Sequence, residues 1–219
     1  MLPISEIRRI SRTVDESWRS PEADAVASGW SYPAGAALAG LHASGDAPAG
    51  VPNGQETAPD GFRDRRLARA MREVAEEVAG LDSGQHSRGI WHGDFELDNI
   101  RFGPRGVTFF DTDEAHKGWF AGDVALAVRD LTGTTLGSRE HPGLLAAFLA
   151  GYRSRRPFTA AEEASLPLHS LAASARLIRQ LDSVVDVEDD GQAQWVRELA
   201  ASLREHQEWH RERLRQHRT

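Results

Sequence analysis

One stretch of the chain resists a helical reading, and it limits the fold more than any other. Between Ser83-Gly84 and Asp111 the apolar residues come in short pieces: Gly89-Ile90-Trp91, Ile100-Arg101-Phe102 and Val107-Thr108-Phe109-Phe110. Gly103-Pro104-Arg105-Gly106, between the last two, reads as a hairpin turn. Paired strands lie about 4.8 Å apart. Asn99, ahead of the first strand, and Asp111, behind the second, then project from the same end of the hairpin. An amide oxygen and a carboxylate in that relation suit Mg2+, which takes oxygen ligands and keeps positions open for phosphate. Asp94 lies just ahead in a tight non-helical loop, with four residues between it and Asn99. A carboxylate there is placed to accept the proton of an attacking hydroxyl.

Helical patterns surround this island. Ile4, Ile7, Ile10, Val14 and Trp18 recur at helical spacing, so an amphipathic helix is expected over 4–19. Ser20-Pro21 stops it and can start another. An alanine-rich helix is expected from about Pro33 to His42, followed by a Pro- and Gly-rich loop over 44–61. Leu67, Met71, Val74 and Val78 line one face of a helix over 62–81. Asp123 is read as the cap of a helix carrying Val124, Val128 and Leu131. Later helices are expected over 142–153, 159–182 and 191–215, the last two separated by acidic breakers at 186–191.

Composition enters by exclusion. The 219 residues hold no cysteine, which removes disulfides, thiolate metal sites and a cysteine nucleophile. A net charge of -7 argues against nucleic acid or an anionic membrane as the partner. No apolar run approaches the roughly 18 residues of a membrane span. Residues 1–18 are too charged for a signal peptide. A soluble cytoplasmic protein is the expectation.

The segments 92–100, HGDFELDNI, and 109–115, FFDTDEA, resemble the catalytic and metal motifs of the aminoglycoside phosphotransferase superfamily. That family includes antibiotic kinases, choline kinases and type II homoserine kinases, and has a protein-kinase-like fold. Residues 119–131, WFAGDVALAVRDL, look like its segment after the metal site. The resemblance implies an α+β, mainly α fold: a kinase-like C-terminal lobe whose short β-hairpin carries the metal site. It implies Mg2+ and ATP or GTP as cofactors and a small-molecule hydroxyl as acceptor. Asp94 would be the catalytic base, and Asn99 and Asp111 the metal ligands. Asp113 would be a secondary metal or structural residue. His92 would shape the loop, and Asp123 would tie the loop to the following helix. The family's nucleotide lobe, with its glycine-rich loop and phosphate-binding lysine, has no counterpart in the sequence; Lys117, after the metal motif, is the only lysine. The expected organisation is therefore an N-terminal helical segment over 1–32 and a kinase-like lobe over 33–219, with the N-lobe absent. A homodimer or a separate N-lobe partner would cover the face so exposed.

Blander readings stand beside these. Glu96 and Asp98 read as solvated loop residues, and Phe95 and Leu97 as core anchors. His206 and His210 have metal-ligand spacing on the last helix but lack a third ligand, so a solvated face is expected. Trp195, Leu199 and Leu203 read as core. The acidic run Glu188-Asp189-Asp190 reads as a charged loop. Ser170 and Ser174 beside His169 show no nucleophile context. Two other functions remain: an inactive kinase-lobe binding module, and a metal phosphohydrolase using Asp94, Asp98, Asp111 and Asp113. The second needs more ligands converging on two metals.

Overall fold

A computed structural model describes residues 21–44, 52, 62, 64–81, 87–104, 106–185 and 193–217, with the side chains of 21–28 and 183–185 left aside. The expected helix over 4–19, most of the loop over 44–61 and the break at 186–191 lie outside these residues. The elements are α1 (Pro21–His42), α2 (Arg65–Ala79), β1 (Arg88–Ile90), β2 (Ile100–Gly103), β3 (Gly106–Phe109), β4 (Lys117–Trp119), α3 (Phe120–Ala127), α4 (Pro142–Arg153), α5 (Ala160–Ala164), α6 (Leu166–Val185) and α7 (Gln194–Gln216). Two antiparallel ribbons, β1 with β4 and β2 with β3, sit among these helices. In the second, Ile100 faces Phe109 and Gly103 faces Gly106, the hairpin expected from the sequence.

The centre of the fold is α3. Phe120, Ala121, Gly122, Asp123, Val124 and Ala125 are all buried. A helix buried on every side belongs inside a core. On one side it joins α1 and α4 in a cluster that includes Leu38, Val124, Phe148 and Tyr152, with Phe95 and Ile100 of the segment 92–100 packed in. On the other it meets α6. There α2, α6 and α7 form a second cluster around Leu67, Met71, Val74, Ile178 and Leu214. The buried face of α2 is the predicted one, and Asp64 caps its first turn by accepting from Arg66 and Leu67 N–H, both at 3.0 Å.

Three helix boundaries differ from expectation. The helix predicted from Pro33 continues an earlier one, so Pro33 lies inside α1. Its missing N–H costs one bond of the ladder. Packing against α4 holds α1 across that gap, and two glycines let the backbones approach. A Cβ on Gly35 would lie 2.0 Å from the Phe148 carbonyl oxygen, and one on Gly151 would lie 1.9 Å from that of Tyr32. The predicted helix over 159–182 is split at Ser165, between α5 and α6. Pro167 explains the split, because its ring clashes with the carbonyl four residues back. The third is α3, which starts at Phe120 with Trp119 as N-cap, so Asp123 is not a cap. Strand β4 has no signature in the sequence; three residues centred on Gly118 carry no strand pattern.

Two core assignments are also corrected. Trp195 is 52% exposed, although Leu203 on the same helix is buried. His210 is buried instead of solvated, with its Nδ1 2.8 Å from the Ser174 hydroxyl and its Nε2 3.2 Å from His206 Nε2. Burial holds His210 at about 3, helped by His206, Arg213 and Arg129. The pair lies between α7 and α6 as packing.

Candidate active site

Strand β1 ends at Ile90, and Trp91 N–H still reaches the His116 carbonyl at 2.8 Å. The chain then leaves the ribbon. Gly93 has φ +82°, and a Cβ there would lie 2.4 Å from the Glu114 carbonyl oxygen, so only glycine fits this turn. The His92 and Gly93 N–H groups point inward and are met by Asp123. Its Oδ2 accepts from His92 at 2.7 Å and its Oδ1 from Gly93 at 3.0 Å. Asp123 does not cap α3 because its two oxygens serve the loop of another segment.

His92 and Phe95 fix the loop from below. The His92 ring is fully buried and meets Phe95 and Phe109 edge-on, each at 5.4 Å between centroids. Leu97 is half-buried, a weaker anchor than expected. A 3-10 turn over Leu97–Asn99 delivers Asn99 into the hairpin. The Asn99 amide nitrogen donates to both the Asp94 carbonyl and Asp94 Oδ2, each at 2.9 Å. Asn99 is buried and Asp94 half-buried. The amide's other end, Oδ1, is the end a cation would take.

The hairpin ladder runs one bond past its strands, from Phe110 N–H to the Asn99 carbonyl at 3.1 Å. Asp111 follows at once, exposed, and is the one non-glycine residue with positive φ among the described residues, at +64°. Asp94 and Asn99 are thus joined by side-chain bonds, and Asp111 follows the residue whose N–H bonds the Asn99 carbonyl at the open end of β2–β3. The donor types, one carboxylate and one amide oxygen, are ones Mg2+ takes. Asp113 lies two residues further, exposed, on a turn closed by Ala115 N–H to the Thr112 carbonyl at 2.9 Å. Among the described residues, no group of three or more His, Asp or Glu side chains gathers as a metal site. The two-metal hydrolase reading thus finds no such ligand set among the described residues.

Glu96, expected in solvent, instead pairs with Arg129, beyond α3. Burial lowers the Arg129 pKa, but Glu96, Asp130 and Asp98 together outweigh it and raise the value. Asp98 is exposed as expected. Sequence reasoning missed His42 altogether. Its Nε2 lies 3.0 Å from Asp123 Oδ2 and its Nδ1 2.6 Å from the Tyr152 hydroxyl. Burial lowers its pKa, opposed by Asp123. No spacing rule links these positions, because the residues come from three helices far apart in the chain.

A family model described as the phosphotransferase enzyme family matches residues 7–158. A homoserine kinase of Pseudomonas aeruginosa (strain LESB58) is 38% identical over 94 residues, which are 42% of this chain and 29% of that protein. The chain thus matches less than a third of the length of this relative. Among solved structures, the amicoumacin kinase hAmiN in complex with AMP-PNP, Ca2+ and Ami superposes with a TM-score of 0.65 at 13% identity, covering 85% of this chain and 59% of that one. A microcompartment-associated aminopropanol kinase superposes with a TM-score of 0.54 at 24% identity, covering 80% and 60%. These likenesses show a kinase-like fold.

Proposed function

The chain belongs to the phosphotransferase enzyme family, and on that premise we propose that it moves the γ-phosphoryl group of ATP or GTP to a hydroxyl of a small molecule. Asn99 Oδ1 and Asp111 would hold Mg2+, which when bound neutralises charge on the phosphates. Asp94 takes the proton of the acceptor hydroxyl as its oxygen bonds to phosphorus and the bond to the departing diphosphate breaks. The Asn99 amide fixes the plane of the Asp94 carboxylate through Oδ2. With its amide nitrogen bonded to Asp94, the same Asn99 side chain would offer its oxygen to the metal, so one residue would serve both base and metal. Most of the rate in such transfers comes from positioning and charge neutralisation.

The observation that carries this reading is the Asn99 side chain bonded to Asp94, with its backbone bonded to Phe110 beside Asp111. Acceptors to try first are amino alcohols, since the relative is a homoserine kinase and one structural neighbour an aminopropanol kinase. With such a panel and Mg2+·ATP, Asp94→Asn is expected to cut turnover by about 10²- to 10⁴-fold while leaving the fold intact. Wild-type rates in that variant remove Asp94 from the role of base.

A non-catalytic binding module is the second reading. Lys117 is the only lysine, and it sits exposed on β4 after the metal motif. Calorimetry with Mg2+·ATP separates the two: nucleotide binding accompanied by turnover excludes the inactive module.

A further inference from the structure

The bonds around His42 continue beyond the active site. Arg156 donates to the Tyr152 hydroxyl oxygen at 3.3 Å, and pairs with Glu162 at 2.9 Å. Glu162 in turn closes the capping box at the start of α5 with Thr159. Tyr152 and Asp123 are fully buried, and His42 and Arg156 are nearly so.

Donor chemistry sets the direction of every bond. Arginine only donates, so the Tyr152 oxygen accepts from Arg156; a carboxylate only accepts, so His42 Nε2 carries a proton towards Asp123, and Nδ1 of the neutral imidazole then accepts from the Tyr152 hydroxyl. Nδ1 therefore carries a lone pair, and the His42 proton sits on Nε2, facing the Asp123 carboxylate. Asp123 Oδ2 is shared between His42 and the His92 N–H of the catalytic loop.

We propose that Tyr152 is a positioning residue of the catalytic loop: its hydroxyl occupies His42 Nδ1, keeping His42 a neutral Nε2–H donor and leaving Asp123 shared evenly with the His92 and Gly93 N–H groups that set Asp94. Remove the hydroxyl and Nδ1 is a buried lone pair with no donor. A proton is then the available substitute. The resulting imidazolium draws Asp123 Oδ2 towards His42 and away from His92. The groups facing His42 are Asp123 from α3, Tyr152 from α4, Arg156 from the segment leading into α5, and Glu162 from α5 itself. Burial lowers the His42 pKa, and Arg156 adds to that. The arrangement is consistent with an imidazole that stays neutral through the working range.

The proposal rests on the phosphotransfer reading for its kinetic part alone. Imidazole 15N spectra of the full chain, with His42 assigned by the signal lost in His42→Gln, test the rest without any substrate. The expected wild-type result is a neutral Nε2–H imidazole at neutral pH. In Tyr152→Phe the His42 titration should move up by at least about one pH unit. The kcat should fall about tenfold on the acid side, with acceptor KM unchanged. The new acid limb should track the His42 titration, which a merely structural loss would not produce. A wild-type His42 that is charged or Nδ1–H at neutral pH overturns the proposal, and that measurement decides even where Tyr152→Phe does not fold. An unchanged His42 titration in a folded Tyr152→Phe also overturns it. Wild-type protein that transfers no phosphate refutes the functional reading, while the 15N result still supports or overturns the role of Tyr152.

Discussion

Asp111 shows how the end of a ladder can reverse one residue's backbone. The β2–β3 ladder ends at Phe110, and the next residue turns into the left-handed region at φ +64°. Aspartate tolerates that region better than most residues, yet it still carries a Cβ penalty of roughly 1 kcal/mol. The reversal comes just outside the ladder, one residue after the Phe110 N–H that bonds the Asn99 carbonyl. Strain and function are therefore separable here. Asp111→Gly is expected to keep or slightly raise thermal stability while losing Mg2+-dependent phosphoryl transfer, whereas Asp111→Ala should lose both. Melting curves alongside a coupled ADP-release assay read the two effects, and equal destabilisation by both variants would mean that φ is not what limits this position. The sequence marked Asp111 as a ligand because strand ends can be located by periodicity. It did not reveal the backbone reversal, which depends on the turn that follows. Asp123 was misleading through its local pattern: an aspartate at a helix start usually caps that helix, but two loop N–H groups and His42 claimed it first.

At the scale of elements, amphipathic patterns were the reliable guide. The stripe on α2 and the whole of α4 are read directly from the sequence, because their burial follows from their own residues. Elements set by neighbours were not legible. The continuity of α1 through Pro33 comes from α4, and β4 exists because β1 pairs with it. The α1–α4 contact carries His42 into the site, so its tightness has a functional consequence. In Gly151→Ala the new Cβ would meet the Tyr32 carbonyl oxygen at 1.9 Å, and backbone cannot give way as a flexible side chain can. The expected loss is about 3 kcal/mol or more, with α1 displaced and His42 drawn from Asp123. Gly40, exposed on α1, has nothing within 4 Å of the place a methyl group would take. Gly40→Ala should therefore stabilise by about 0.5–1 kcal/mol. Urea midpoints of the two variants check both signs. A mild effect for Gly151→Ala would show that the helices are less tightly joined than the geometry states.

The whole molecule is organised around α3, and three buried histidines stand at the joints between it, its neighbours and the outer helices. His42 joins α1 to α3 and α4. His169 on α6 faces Trp119, with ring centroids 6.4 Å apart, and burial together with Arg88 holds its imidazole at about 4. His210 joins α7 to α6 and is held at about 3. None of these roles could be read from the sequence, since each depends on a partner from a distant helix. They share one consequence. The unfolded chain binds a proton at each histidine near pH 6.5, and the folded chain does not. Stability from the three is fully present above that value and is lost as pH falls below it. For His169 the loss continues to about pH 4, and for His210 to about pH 3. Each costs about 1.4 kcal/mol per pH unit in that window. These two alone would remove roughly 2.5 kcal/mol between about pH 6 and pH 5, a large part of the 5–15 kcal/mol of an ordinary domain. His42, lowered by its burial, acts in the same direction. The Asp64 carboxyl, held low mainly by the Leu67 N–H and by Arg215, also favours the folded chain at higher pH, but its loss comes only below about pH 3.8. Carboxylates therefore cannot account for a loss that begins at pH 6.5. Urea unfolding at pH 7.5, 6 and 5 should show the midpoint falling steadily, with an uptake of about two protons or more per chain on unfolding at pH 5. A midpoint flat across that range would mean that these histidines are already charged in the folded protein, contrary to the burial that defines the joints.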